Sequence, residues 1–355
     1  MTEDEELLNE IQENDAEERD DLYEHYRFTV DPHTELLRMD RYLMNLMANT
    51  SRNRIQQAAK AGCILVNGKA EKSNYRVHPN DVISILLPQP PRDTEILPEE
   101  IPLEIPYEDD DLIIINKPAG MVVHPAFGNY DGTLVNALLY HFKDQHDSNG
   151  QPVRPLLVHR IDKNTSGIMV VAKSELAQSK LAANFFVHDI ERKYRALVWG
   201  DFKEDEGTII GNIGRDPRDR LVMTVFPDGE SGKNAITHYK VIERFGYVTL
   251  VECQLETGRT HQIRVHMRYA GHPLFNDASY GGDQILKGTT FTKYKQFVNN
   301  CFKLMPRQSL HAKSLGFKHP ITGKQMFFDS EMPDDFSAVL EKWRNYSIHK
   351  ELEED

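Results

Sequence analysis

The sequence predicts an α+β fold in two parts, a large domain with a mixed, largely antiparallel sheet and a small αα-β domain before it. After residue 106, strand-like apolar runs and helical stretches alternate irregularly, unlike the regular alternation that produces a parallel α/β sheet. In 36–87, two short helical patterns precede strand-like runs. Six prolines in 87–106 separate the two parts, because such a segment is unsuited to helix or central sheet.

The elements of the small domain follow from spacing and caps. Apolar residues from Leu37 to Met47 fall at helical spacing, and a second helix is predicted from a Thr50/Ser51 cap to Gly62. In CILVNGKAEK, the pair Asn67-Gly68 indicates a hairpin, and VISILL (82–87) is strand-like.

In the large domain, five runs are strand-like and one long stretch is helical. The runs are LIIIN, LLV, IMVVAK, YRALVW and VTLVECQL, and the helical stretch is ELAQSKLAANFFVH. The segment 284–304 has the composition of a basic, partly helical insertion.

Composition sets the predicted boundaries. In chain order they are an acidic, disordered tail (1–35), the small domain (36–87), a proline-rich linker (88–106), the large domain (107–348) and an acidic C-terminal tail (349–355).

The net charge of -13 is unevenly distributed. Residues 1–35 hold 14 Asp or Glu and 2 Arg, so most of the excess acidity belongs to the tail. Residues 36–87 hold 8 Lys or Arg against 3 Asp or Glu. A basic module of this size is typical of a phosphate-binding surface, with an ordinary solvated face as the alternative.

Several classes of protein lose support. The sequence has no apolar run of membrane-spanning length and an acidic N-terminus, so we expect an intracellular protein, located in the cytoplasm. Walker, GxGxxG, GxSxG and HExxH motifs are missing. The three cysteines show no paired spacing, and the histidines at 261 and 266 do not share a helical face, so neither a disulfide framework nor a metal site is favoured.

The stretch HRIDKNTSG (159–167) places one carboxylate, Asp162, in a polar loop between two strand-like runs. Rigid scaffolds commonly present reactive side chains on such loops. Asp162 is therefore the leading candidate for a nucleophile or base. A hydrogen-bonded turn made by Asp162 with Thr165 or Ser166 is the alternative interpretation of these nine residues.

The block LETGRTHQIRVHMRYAG (255–271) combines the end of a strand with a helix predicted to begin near Thr260. Arg259 at that point could pair with a carboxylate and hold it ionised, or bind a phosphate. If Arg259 meets Asp162, the aspartate is held as an anion. Arg264 and Arg268 share a helical face, which suits phosphate contacts and ordinary solvation equally.

In ERKYRALVWG (191–200), Tyr194 begins a strand between Lys193 and Arg195. A tyrosine beside cations is suited to stacking on a base over an anchored backbone. A tyrosine in a strand is also a common core residue, so both interpretations stay open at this point.

HRIDKNTSGIMVVAKS resembles the catalytic signature of the RluA/RluD family of RNA pseudouridine synthases. Four further blocks resemble that family in its order, namely NKPAGMVVHP with GTLVNAL, ERKYRALVWG, the LETGRTHQIRVHM block and SLHAKSLGFKHP. The module at 36–87 is similar to the S4 RNA-binding domain. The resemblance implies a pseudouridine synthase fold and an isomerase that converts uridine to pseudouridine without metal or cofactor.

The resemblance also implies roles for individual residues. Asp162 matches the catalytic aspartate, Tyr194 the tyrosine that stacks on the flipped base, and Arg259 the arginine paired with the aspartate. Arg160 is expected to occupy the space that the flipped base leaves. The other expected RNA contacts are Lys117, His124, Arg52, Arg54 and Lys60.

We expect large-subunit ribosomal RNA as the partner and a monomeric protein without a membrane association. A transfer RNA substrate and a non-catalytic assembly factor are the alternatives. A carboxylate-based glycosidase would need a second acid in the site, for which Asp131 and Asp277 are the nearest candidates.

Overall fold

The computed structural model describes residues 23–32, 34, 36–47, 51–87, 96–125, 129–147, 150–186, 189–219 and 222–354. The chain divides between residues 95 and 96 into two compact units. Each unit has its own hydrophobic core. No helix among the described residues is both long and apolar enough to cross a membrane.

The first unit contains two helices and a four-stranded antiparallel sheet. Its elements are β1 (Tyr23–Thr29), α1 (Met39–Leu46), α2 (Arg52–Lys60), β2 (Ile64–Val66), β3 (Lys69–Ala70) and β4 (Val82–Leu87). Across the sheet the strands lie in the order β1-β4-β2-β3. The predicted αα-β arrangement is confirmed.

Local chemistry accounts for these elements. The Ser51 side chain accepts a hydrogen bond from the Arg54 main-chain N–H and so caps α2. Asn67 and Gly68 both have positive φ, as the tight β2–β3 turn requires. The apolar faces of both helices pack on the sheet around Met39, Leu43 and the other members of one cluster.

The predicted N-terminal boundary is wrong in its second half. Residues 23–29 form strand β1, which pairs with β4 along its length, instead of continuing a disordered tail. The segment YEHYRFT carries fewer acids than the residues before it and can add main-chain hydrogen bonds to the exposed edge of β4. The earlier part of the tail, residues 1–22, lies outside the described residues.

The second unit is built on a ten-stranded sheet with one small additional hairpin. Its strands are β5 (Glu104–Glu108), β6 (Leu112–Lys117), β7 (Leu156–Leu157), β8 (Ser166–Ala172), β9 (Glu191–Trp199), β10 (Glu206–Ile210), β11 (Asn212–Arg215), β12 (Met223–Phe226), β13 (Ile236–Arg244), β14 (Val248–Leu255), β15 (Leu310–Lys318) and β16 (Gln325–Asp329). The order across the sheet is β10-β13-β14-β9-β15-β8-β6-β5, with β16 on β15 and β7 on β8, while β11 and β12 form the hairpin.

The pairings confirm a mixed, largely antiparallel sheet. Strands β8 and β15 are parallel, and the other pairings described for this sheet are antiparallel. At the parallel pairing, Gly167 has φ +120°, and an added Cβ would overlap the main chain of Ala312. Glycine therefore ends the HRIDKNTSG stretch because β15 passes too close for any side chain.

Helices cover both faces of this sheet. They are α3 (Leu134–His141), α4 (Glu175–Phe186), α5 (Gln262–Tyr269), α6 (Thr292–Leu304) and α7 (Asp334–Glu354). Successive residues of β9 point to opposite faces, so that Ala196 and Val198 join the cluster under α3 and α5, while Leu197 and Trp199 join the cluster under α6 and α7. The 284–304 segment, predicted to be partly helical, contains α6.

Two further boundaries differ from the predicted ones. The second half of the proline-rich segment belongs to the large unit, because Asn136 Nδ2 donates to the Leu97 carbonyl and Glu99 accepts from the Gly132 N–H. Residues 88–95 lie outside the described part of the chain. The C-terminal acidic residues continue α7 to Glu354 instead of forming a separate tail, since Glu and Lys favour helix.

Candidate active site

The loop that carries Asp162 is fixed by a buried lysine. Lys117, at the end of β6, has no exposed surface, and its Nζ lies 2.8, 2.8 and 3.1 Å from the carbonyl oxygens of Pro118, Met121 and Lys163. Burial lowers the pKa of Lys117 to about 7. Three carbonyl acceptors match the three donors of an ammonium group, so this side chain organises the loop from inside.

A buried arginine holds the other end of the same loop. Nη1 of Arg307 donates to the carbonyls of Asn164 (3.2 Å) and Leu310 (3.3 Å), while its Nε and Nη2 pair with Asp335 at 2.7 and 2.8 Å. The Thr165 N–H donates to the main-chain oxygen of Asp162. The turn interpretation is therefore correct for the main chain, but it leaves the Asp162 carboxylate free for another role.

That carboxylate is paired with Arg264. Nη1 of Arg264 lies 3.0 Å from Oδ2 of Asp162, and Nε and Nη2 lie 2.7 and 2.8 Å from the two oxygens of Asp277. Both carboxylates raise the pKa of Arg264 despite its burial. A single guanidinium on the first turn of α5 thus fixes Asp162 in place and holds it beside a permanent positive charge.

The predicted partner, Arg259, is wrong as the counter-ion of Asp162. Its Nε donates to the carbonyl of Asn234 at 2.9 Å. Helix α5 begins at Gln262, later than predicted, and the Gln262 side chain accepts from the Arg259 N–H. Arg259 consequently precedes the helix at the rim of the cavity, whereas Arg264 lies on the helix face that meets Asp162.

His261 adopts a left-handed conformation between the two arginines, with φ 56°. This backbone is strained by about 1 kcal/mol for a residue other than glycine. Its Nδ1 lies 2.8 Å from the Tyr280 hydroxyl and its Nε2 lies 3.8 Å from Oδ2 of Asp162. Burial lowers the pKa of His261. The strain is thus associated with placing an imidazole beside Asp162.

A cavity of about 620 Å³ opens in front of these residues. Its volume is typical of small-ligand sites. The structure brings Asp162, Tyr194, Arg160 and Arg259 together on its walls, with Arg264 behind Asp162. Burial raises the pKa of Tyr194, so this residue is a neutral phenol at physiological pH. Arg160 is exposed and open to a polyanion.

The other predicted RNA contacts have different outcomes. Lys117 is wrong as an RNA contact because its ammonium is buried, and Arg54 is wrong because only 7% of it is exposed. His124 and Lys60 are exposed. Arg52 is half-exposed and shares the buried carboxylate of Asp40 with Arg38, at 3.0 Å each.

Among the described residues that line the cavity, there is no second acid of the kind that a glycosidase would need. Asp277 is buried and bound through both oxygens to Arg264, so it is not available to a substrate. Asp131 is exposed and does not line the cavity. The carboxylate pair of a glycosidase is therefore not formed by these candidates.

Within the described part of the chain, one group of side chains has the spacing to hold a metal ion. Ligand atoms of Asp109, Asp111 and His319 lie within 4.8 Å of one another. The Asp109 carboxylate already accepts hydrogen bonds from the Tyr107 hydroxyl, the N–H groups of Asp111 and Leu112, and His319. This network explains the cluster as a stabilised turn, and none of Asp109, Asp111 and His319 lines the Asp162 cavity.

The sequence contained a signal for the role of Arg264. In QIRVHMRY, the residues Ile263, Val265 and Met267 are apolar and surround the arginine. Such a helix is buried on most of its surface, and a buried arginine needs a carboxylate partner. The block FNDASYGG supplies that partner in Asp277.

Comparison with known proteins identifies the family. The RNA pseudouridylate synthase family matches residues 111–269, and the S4 domain matches 37–83. The chain is 48% identical to an uncharacterized RNA pseudouridine synthase of Chlorobaculum parvum over 87% of this chain and 94% of that protein. It is 43% identical to the ribosomal large subunit pseudouridine synthase D of Zymomonas mobilis, over 85% of this chain and 92% of that one.

A solved structure agrees with this result. Human RNA pseudouridylate synthase domain containing 1 is similar at a TM-score of 0.50 and 25% identity, covering 68% of this chain and 89% of that one. The predicted family, fold and enzyme class are confirmed. With an extended match to its relatives and a cavity built around Asp162 and Arg264, this chain belongs to the RNA pseudouridine synthase family.

Proposed function

We propose that this chain converts uridine to pseudouridine in large-subunit ribosomal RNA, with Asp162 as the catalytic carboxylate. Among the described residues that line the cavity, Asp162 is the only carboxylate. It is fixed by Arg264 at 3.0 Å. This single ion pair carries the proposal, because an ionised and oriented carboxylate is what attack on the ribose or formation of a glycal requires.

The target base has to leave the RNA stack to reach this carboxylate. Tyr194 lines the cavity and would stack on the base, and the exposed Arg160, which also lines it, would take the vacated position or contact the backbone. Tyr194 is a neutral phenol in the resting site, so its hydroxyl can donate a hydrogen bond or take part in proton transfer. The isomerisation is redox-neutral, so it calls for no redox cofactor.

The proposed RNA target rests on the relatives and on the first unit. Several relatives at 40 to 43% identity are named ribosomal large subunit pseudouridine synthase D. The S4 domain exposes Lys60 and half of Arg52 to solvent. Cations on a small separate domain suit contacts with the phosphates of a large structured RNA.

The test is pseudouridine mapping on transcripts of large-subunit ribosomal RNA and of transfer RNA incubated with the purified protein. We expect modification of the ribosomal transcript by the wild type and none by Asp162→Asn, which keeps the shape of the side chain and removes its charge. Asp131→Asn, at an exposed position outside the cavity, is the matched control and should remain active.

The outcomes separate the alternatives. Modification of transfer RNA alone would move the substrate to that class. Tight ribosomal RNA binding without any modification by the wild type would favour an assembly factor. Substantial turnover by Asp162→Asn would remove the catalytic role of Asp162.

We further propose that the protein acts in the cytoplasm as a monomer. In support, the large unit contributes all the described residues of the Asp162 cavity, so one copy of the chain builds the site. Light scattering during gel filtration and fractionation of cells test these two points.

A further inference from the structure

Arg192 is a buried cation for which the described residues provide no counter-ion. It lies in β9 two residues before Tyr194, so both side chains point to the same face of the sheet and both line the cavity of Asp162. Only 7% of Arg192 is exposed, and its Nε has no hydrogen-bond partner among the residues that the structure describes. In the described part of the chain, no carboxylate forms an ion pair with it, in contrast to Arg264 and Arg307.

The residues around Arg192 leave it room but do not neutralise it. Its Cζ lies 5.2 Å from the ring of Phe185, which stacks on His159. Burial, followed by the charge of Arg192, lowers the pKa of His159 to about 3, so this imidazole is neutral. A Cβ atom on residue 258 would lie only 2.9 Å from Nη1 of Arg192. Glycine at position 258 leaves this space open.

Arg192 and Asp162 line the same cavity as Tyr194, and their charges shift the pKa of Tyr194 in opposite directions. The positive charge of Arg192 lowers the pKa of Tyr194, the negative charge of Asp162 raises it, and burial has the largest effect. A base stacked on Tyr194 would thus lie within reach of both charges. A buried guanidinium without an anion is costly, so its partner is expected to be an anion that the site itself does not contain.

We propose that Arg192 is a further catalytic residue, which stabilises the negative charge of the uracil ring when the glycosidic bond breaks. This inference rests on the proposed pseudouridine synthase function. As the C1′–N1 bond breaks, its electron pair stays on the base and spreads to the oxygens O2 and O4. The guanidinium donates hydrogen bonds to one of these oxygens and keeps its own protons throughout.

The remaining steps balance without a co-reactant. After the base turns, C5 forms the new bond to C1′, the proton of C5 is released, and N1 gains one proton. Because the negative charge on the base exists only during the reaction, Arg192 stabilises the transition state more than the bound uridine. The same argument accounts for the lack of a carboxylate partner for Arg192 in the described part of the chain, since an internal ion pair would weaken its action on the base.

The test compares single-turnover rates and RNA affinity for Arg192→Met, Arg192→Lys and a matched control. Arg195 lies on the opposite face of β9 and pairs with Glu252 at 2.7 Å, so Arg195→Met removes an arginine from the same strand but outside the cavity. We expect Arg192→Met to slow the reaction at saturating RNA by about 100-fold. Its RNA dissociation constant should stay within about three-fold, and Arg195→Met should keep the wild-type rate.

A second readout tests the contact itself. Sulfur accepts hydrogen bonds weakly, so RNA with 2-thiouridine or 4-thiouridine at the target weakens the contact to O2 or O4 in turn. One of the two substitutions should have a different effect on the wild-type rate than on the Arg192→Met rate, as expected for groups in contact. Arg192→Lys keeps the positive charge, so its reaction rate should lie between those of the wild type and Arg192→Met.

Three results would overturn the inference. The first is a rate for Arg192→Met within about three-fold of the wild-type rate. The second is an equal effect of each thiouridine substitution on the rates of the wild type and of Arg192→Met. The third is weaker RNA binding by Arg192→Met, with a shallower salt dependence and an unchanged rate at saturating RNA. The last result would identify a backbone phosphate as the anion. A wild-type protein that forms no pseudouridine would instead overturn the proposed function.

Discussion

Arg264, on the first turn of α5, donates a hydrogen bond of 3.0 Å to Oδ2 of Asp162. The same guanidinium is held by both oxygens of the buried Asp277. Asp277 therefore orients the arginine, and the arginine orients the carboxylate that faces the cavity. This chain of contacts links the segment after helix α5, helix α5 itself and the loop before β8 in one site.

Arg264→Met should abolish most of the activity, with a loss of about 100-fold or more at saturating RNA. It should also lower the free energy of unfolding by about 3 to 5 kcal/mol, because Asp277 would keep a buried charge without a partner. Arg259→Met should lose less than about 10-fold, since its side chain binds a carbonyl at the rim. Equal losses in the two variants, measured at a temperature where both are folded, would contradict the assigned pairing.

Lys117→Met should destabilise the large unit, by about 3 kcal/mol, because three carbonyl oxygens lose their buried donor. Urea unfolding measures this change. Lys163→Met is the matched control within the same loop, and its exposed side chain should contribute less than about 0.5 kcal/mol. If Lys117→Met instead left stability intact and reduced the salt dependence of RNA binding, Lys117 would be a phosphate contact after all.

Gly167→Ala should be poorly folded or inactive, losing at least about 3 kcal/mol, since the new methyl group would overlap the Ala312 main chain. Gly246→Ala is a control for backbone strain alone, because Gly246 also has positive φ but nothing lies within 4 Å of an added Cβ. It should cost about 1 kcal/mol. Similar melting temperatures for the two variants would show that β8 and β15 can separate at little cost.

His311 should make the large unit less stable in acid. Its buried imidazole is bound by the Ser166 and Ser330 hydroxyls at 2.9 Å each, and burial lowers the pKa of His311 to about 4. The unfolded chain binds this proton near pH 6.5, so stability falls between pH 6.5 and 4, by on the order of 3 kcal/mol. His311→Gln should lose less over that interval. Parallel unfolding curves against pH for the two proteins would contradict this assignment.

Removal of residues 1–95 should leave a folded catalytic unit, because the chain from Ile96 onward contains its own hydrophobic clusters. The truncated protein should bind RNA more weakly and with a shallower dependence on salt, since fewer counterions are released. Turnover at saturating RNA should change little. A collapse of turnover under that condition would mean that the first unit helps to build the active site.

Much of the architecture could be predicted because it depends on short-range patterns. The apolar runs that became β6, β8, β9 and β14, the Asn67-Gly68 turn and the Ser51 cap are decided by neighbours along the chain. Family resemblance located Asp162 and Tyr194 on the same basis. The boundary errors came from charge counts, which describe how a segment is solvated and not whether it can pair with a sheet edge, as β1 does with β4.

The sequence by itself determined the two-part α+β fold, the mixed sheet and the position of the candidate catalytic carboxylate. Only the tertiary structure decided which arginine pairs with Asp162, that Lys117 supports the loop from within, and that Arg192 is buried with no counter-ion among the described residues. The physical reason is that an ion pair depends on the distance and direction between residues about a hundred positions apart, such as Asp162 and Arg264. A difference of two residues in where α5 begins was enough to transfer that role from Arg259 to Arg264.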